Sequence, residues 1–115
     1  MSITRHEISG HLSKAVEHNG TVYVAGTTAD NKSAGMKQQT EEVLRKIEGL
    51  LAKSGTNKSK LLSATVYISD MAQKGAMNEA WLAWIDLKNP PTRACVAVDL
   101  GSKETLVEIV VTAAK

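Results

Sequence analysis

The sequence predicts an α+β fold in which two helices pack on one face of a single β-sheet. Three observations lead there. Apolar residues alternate with a period of two in six short segments, and recur every three to four residues in two longer ones. The helical segments fall between strands after an initial run of three strands, an order that places both helices on the same side of one sheet. The chain has 115 residues, of which 43% are hydrophobic and 23% charged, and this suits one domain spanning 1–115 with one core. With 3% aromatic residues and no Phe, that core must be built from Val, Leu, Ile, Ala and Met.

Residues 1–9 carry Ile3 and Ile8 as their aliphatic anchors and read as a short edge strand. Gly10-His11-Leu12-Ser13 reads as a loop and Lys14 to His18 as a brief strand. Asn19-Gly20 is a strong hairpin signal, because both central residues of a type I′ turn need positive φ. Thr21 to Ala25 returns as its partner, and Gly26 to Gly35 is a polar loop. From Met36 to Ser54 the period becomes helical. Val43, Ile47, Leu50 and Leu51 form the apolar stripe, and Gln39, Glu42, Arg45 and Lys46 lie elsewhere on the wheel. Gly55 suits the position just past a helix end. Leu61 to Ser69 is a strand with Leu62, Ala64, Val66 and Ile68 on one face and Leu61, Ser63, Thr65 and Tyr67 on the other. Asp70 is placed to cap a second helix from Met71 to about Leu87, with Met77, Trp81, Trp84 and Ile85 apolar.

Pro90 and Pro91 stop that helix, since each fixes φ and lacks a backbone donor. The strand after them, Thr92 to Val98, puts Arg93, Cys95 and Ala97 on one face. A guanidinium in so apolar a strand needs an anion for its donors. The other charge of interest is Glu108, within Leu106 to Val111, the most apolar segment of the chain. If the last two strands form one hairpin turning near Leu100-Gly101, Arg93 faces Glu108 across it. On the residues alone, Arg93 reads equally as a structural ion-pair partner of Glu108 or of a neighbouring subunit, and as a holder of a small acid. Cys95 reads as a small buried hydrophobe, with no His near it in sequence to activate the thiol. The face of the sheet away from the helices, with Leu61, Thr65, Tyr67, Val110 and Thr112, is too apolar to leave in water. Packing against other copies of the chain is the simple remedy.

The pattern Pro-Thr-Arg-Ala-Cys-Val, with Leu-Val-Glu-Ile after a fixed gap, resembles the RidA/YjgF family of reactive imine/enamine deaminases, also called L-PSP endoribonuclease-like. Gly10, Val24-Ala25-Gly26, the helix bearing Gln38, Thr40, Val43 and Leu44, Val66 to Asp70, and Met77-Asn78 extend the likeness to nearly the whole chain. The resemblance implies a mixed sheet of the chorismate-mutase-like kind, assembled as a homotrimer whose sheets form a barrel with clefts between subunits. It implies hydrolysis of 2-imino or 2-enamino acids to 2-oxo acids and ammonia, without a cofactor. Arg93 would hold the substrate carboxylate and Glu108 would orient water and move protons. Cys95, Gly26 and Asn78 would border the ligand. Two positions depart from the family pattern: Leu12 stands where a pocket tyrosine is usual, and Ala25 where a serine is usual. These losses also suit a non-catalytic binder or sensor of small carboxylic acids.

Several function classes are set aside by composition. A net charge of +2 is too small to argue for nucleic acid, whose recognition normally shows a clustered basic face, and neither charge nor aromatic pattern supports the RNA cleavage attributed to the family. His6, His11 and His18 have no metal-like spacing with each other or with Cys95, so no metal is expected. One cysteine allows no internal disulfide. With no apolar leader and no apolar run approaching ~18–20 residues, neither export nor membrane insertion is expected, and the cytoplasm is the expected location.

Overall fold

The computed structural model describes residues 2–115, so residue 1 of the predicted edge strand lies outside the described residues. Six strands form one mixed sheet: β1 (Thr4–Ser9), β2 (Leu12–His18), β3 (Thr21–Thr28), β4 (Leu61–Ile68), β5 (Thr92–Ala97) and β6 (Val107–Ala114). Their spatial order is β1-β2-β3-β6-β4-β5, antiparallel throughout except for the parallel pair β4–β5. Two helices, α1 (Met36–Lys53) and α2 (Lys74–Trp84), cover one face of this sheet.

Local chemistry accounts for most boundaries. Asn19 and Gly20 adopt φ of 52° and 77°, the left-handed pair that turns β2 into β3. The predicted loop at 10–13 shrinks to a two-residue turn, because Gly10 takes φ of 60° and lets Ser9 pair with Leu12. β3 runs three residues beyond its predicted end at Ala25, through a bulge between Val24 and Thr27. α1 ends at Lys53 with Gly55 at φ 79°, as its glycine predicts. Asp70 accepts a hydrogen bond from the Ala72 amide (3.0 Å), but it caps a 3₁₀ turn at Met71–Gln73 that leads into α2. α2 is shorter than predicted, because Ile85 turns extended and Asp86 takes the Lys88 amide (3.0 Å).

The core lies between the helices and the inner sheet face. Val22, Val24, Val66, Ile68, Ile109 and Val111 meet Val43, Leu44, Ile47, Leu51 and Met77, all essentially inaccessible to water. Two expectations of facing are reversed here. A register shift between Leu61 and Ser63 buries Leu61 and leaves Leu62 half exposed, the opposite of simple alternation. Gln39, expected away from the apolar stripe, is fully buried. Its Nε2 donates to the Ala34 and Glu104 carbonyls (3.0 and 2.8 Å), and its Oε1 accepts from the Leu106 amide (3.0 Å). The bonds to Glu104 and Leu106 fasten the β5–β6 connection to α1.

The hairpin expected between the last two strands does not form. β5 and β6 lie on opposite edges of β4, so Arg93 pairs in register with Ala64, whereas Glu108 pairs with Tyr67 and Thr28. The cause is topological. α2 supplies the crossover that a parallel β4–β5 pair requires. The more apolar β6 takes the sheet interior between β3 and β4, and β5 is left at the edge. Arg93 and Cys95 therefore share the helix-bearing face with Ala64 and Val66, and Glu108 shares the uncovered face with Tyr67. That uncovered face carries Tyr23 and Val96, 49% and 42% exposed, beside Thr65, Val110 and Thr112. No helix of the described residues is long and apolar enough to cross a membrane.

Candidate ligand site

Arg93 is half-buried at the β5 edge, where α2 passes over it. Its Nη1 donates to Asn78 Oδ1 (2.8 Å) and reaches the Met77 sulfur (3.8 Å). The guanidinium carbon lies 5.2 Å from the centre of the Trp81 ring, a cation–π distance. Asn78 and Trp81 are three residues apart on α2 and so present one face to the arginine. No carboxylate among the described residues comes within 4.0 Å of Arg93, which excludes an intrachain pair with Glu108. The planar fork is braced on one side and retains donors for an anion from outside the chain.

Cys95, two residues on, pairs in register with Val66 and packs against the core as a free, half-buried thiol. Glu108 stands elsewhere, two strands from Arg93 and on the other sheet face, with its side chain leaning across β3 onto Gly26. A Cβ at Gly26 would overlap the Glu108 carboxylate, so this glycine makes room for that side chain at the bulge. Its φ is not in the left-handed region, and space alone is the reason for glycine. Gly26, Ala25 and Leu12 also line a cavity of about 640 Å³ that extends toward α1. Arg93, Asn78, Cys95 and Glu108 do not line it.

Within one chain the predicted residues thus fall into two groups. Arg93, Asn78 and Cys95 gather at the β5–α2 edge, and Glu108 and Gly26 gather where β3 meets β6. The sequence places Trp81 among the apolar positions of this helix, as a packing residue. It is indeed nearly buried, but it also forms the platform under the guanidinium. The signal for that second role was its three-residue spacing from Asn78.

A family model described as Endoribonuclease L-PSP matches residues 3–115. The chain belongs to this family. Members that carry the RutC, YjgF and RidA names are its relatives. A RutC family protein of Haemophilus ducreyi is 42% identical over 112 residues, covering 97% of this chain and 96% of its own. The crystal structure of a YjgF family member from Neisseria meningitidis superposes with a TM-score of 0.94 at 36% identity, covering 100% of this chain and 96% of that one. RidA from an Antarctic Psychrobacter superposes with a TM-score of 0.84 at 26% identity, over 95% and 92% of the two chains. The L-PSP/YjgF membership and the mixed sheet with two helices on one face agree with the resemblance drawn from Arg93, Cys95 and Glu108.

Proposed function

We propose that the protein hydrolyses reactive 2-imino and 2-enamino acids to 2-oxo acids and ammonia, in a cleft between subunits of a homotrimer. The observation that carries this reading is Arg93: a guanidinium fixed by Asn78 and Trp81 at a sheet edge, with no carboxylate of its own chain in reach. A fork so held grips a carboxylate through two parallel bonds and leaves the reacting end of a small acid free. The second half of the site comes from a neighbouring copy. When the uncovered apolar face of one sheet is buried against the next, Arg93, Asn78 and Cys95 of one subunit meet Glu108 and Gly26 of another.

The chemistry asks little of the protein. Water adds to the imine carbon while Glu108 accepts its proton and delivers it to nitrogen. Glu108 then carries the hydroxyl proton of the tetrahedral adduct to the same nitrogen as the carbon–nitrogen bond breaks, so ammonia leaves and the carbonyl of the 2-oxo acid remains. An enamine first takes a proton on carbon to become the imine. Proximity and proton transfer suffice for so reactive a substrate, and the cycle consumes only water. The lone thiol of Cys95 suits a cytoplasmic setting.

A second reading, a sensor of small carboxylic acids, is favoured by Leu12 and Ala25, which supply no hydroxyls where the family has a tyrosine and a serine. One experiment separates the two. Imino acids are generated in situ by an amino-acid oxidase, and 2-oxo acid release is followed with wild type and with Arg93→Ala. Acceleration by wild type alone supports hydrolysis. Tight pyruvate binding by a wild type that accelerates nothing favours the sensor.

A further inference from the structure

We propose that the cavity between α1 and the parted ends of β2 and β3 binds a small molecule carrying two anionic groups, phosphate or carboxylate. The β2–β3 ladder stops at the Ala15–Val24 pair, so Leu12 to Lys14 and Ala25 to Thr28 run apart. α1 floors the gap, and the space over Gly49 is open, since a Cβ there would meet nothing within 4 Å. At about 640 Å³ the space falls within the ~300–1,000 Å³ of ordinary ligand pockets. No Phe, Tyr or Trp lines it, the imidazole of His11 being its one ring, and it is a pocket, not a ridge, which favours a small molecule over nucleic acid.

Charge decides the class of ligand. The lining holds Lys14, Arg45, Lys46 and Lys53 against Glu7 and Asp30. The lining thus carries two more cations than carboxylates, and a concavity with such an excess concentrates anions. Both carboxylates are engaged: Glu7 with Lys53 at 2.7 Å and Asp30 with Lys46 at 3.1 Å. Lys14 and Arg45, both exposed, have no ion pair or side-chain hydrogen bond among the described residues. Two carbonyls of the lining residues are occupied, Ala25 by Thr27 Oγ1 (2.9 Å) and Thr28 by Lys46 Nζ (2.8 Å). Two cations without partners at the wall of one pocket ask for two anionic groups on one ligand. The inference rests on this cavity and its charges, and stands apart from the hydrolysis at Arg93 and Glu108. The two sites adjoin only through Leu12, Ala25 and Gly26.

The test is calorimetric titration of the protein with citrate and, separately, with pyrophosphate, in wild type, Lys14→Glu/Arg45→Glu, Lys14→Gln/Arg45→Gln and Arg93→Ala. One or both anions should bind wild type with a Kd of about 1 mM or tighter, and the preferred one tells carboxylate from phosphate chemistry. Either double variant should lose about tenfold or more in affinity, whereas Arg93→Ala should not. Amide shifts on titration should centre on Asp30, Arg45 and Gly49. The double variants should still melt cooperatively and still hydrolyse imino acids if wild type does, which separates failure here from failure of the proposed reaction. Absence of binding by both anions would overturn the proposal. So would affinity lost in Arg93→Ala but kept in the double variants, or shifts centred on α2 and β5.

Discussion

Arg93→Lys isolates the contribution of the guanidinium's shape from that of its charge. In the structure one Nη is committed to Asn78 at 2.8 Å and the plane rests on Trp81 at 5.2 Å, so the remaining fork edge is the part presented to a ligand. An ammonium keeps the charge but replaces two parallel bonds with one. Hydrogen bonds to charged groups contribute ~1.5–3 kcal/mol, and 1.4 kcal/mol is tenfold, so carboxylate affinity should fall about 10- to 150-fold. Stability should change by less than ~1 kcal/mol, since Arg93 has no carboxylate partner in its own chain to leave stranded. The assay is a pyruvate titration by calorimetry beside a thermal melt, with kcat/KM for a generated imino acid. Because the lost bond holds substrate and transition state alike, KM should rise and kcat should change little. A lysine variant that binds pyruvate within about threefold of wild type would refute the bidentate grip. A large drop in melting temperature with affinity intact would make Arg93 a structural brace.

Other expectations are as direct. Light scattering at micromolar concentration should give three times the 12.3 kDa chain mass, and a monomeric mass would remove the shared site. Glu108→Gln should bind small acids normally but lose turnover by ~10²–10⁴-fold, the usual cost of a missing acid–base group, and unchanged turnover would take Glu108 out of the chemistry. Gly26→Ala should displace the Glu108 carboxylate and lower kcat more than stability, which paired kinetics and melts would show; equal kcat would mean that the displaced carboxylate still serves. Hydrogen bonds from Ser59, Asn89 and the Lys88 amide pull the Asp86 carboxyl down from the ordinary 3.8 to about 2. Its stabilising effect should be complete above the unfolded value and fade as pH falls toward the folded one. The stability gap between wild type and Asp86→Ala should close over that acid range, and a pH-independent gap would refute the account.

What could be read in advance was whatever one segment determines by itself. Asn19-Gly20 demanded a tight turn, Pro90-Pro91 stopped a helix, and the stripe from Val43 to Leu51 gave α1 nearly to the residue. Partnership between segments was less legible. Alternation assigns faces within a strand, but it does not say which strands are neighbours, and so Arg93 and Glu108 were placed opposite each other when β4 lies between them. The bulge beside Leu62 was equally hidden, because it depends on register with β6. Gln39 looked like a surface residue since two of its three partners, the Glu104 carbonyl and the Leu106 amide, lie beyond residue 100, in a loop that local pattern cannot bring close. Trp81 was assigned its packing but not its cation, for the same reason. The L-PSP/YjgF resemblance supplied what periodicity could not, the mixed character of the sheet.

The placement of β6 between β3 and β4 has a consequence for how the chain is made. The strand at the centre of the sheet is the last in chain order, so five strands precede the one that joins them. As the polypeptide emerges, the β1–β2–β3 meander and the β4–α2–β5 unit can each form from near neighbours, but each then presents a bare strand edge. Those edges are apolar on the helix-bearing side and face each other across a gap one strand wide, the geometry that invites pairing with a foreign chain. Only when Val107–Ala114 slides in do both edges close, in a step that joins residues far apart in sequence and is therefore slow. Loss of even a few residues from this last strand would leave two sticky half-sheets where trimming β1 would merely shorten a rim.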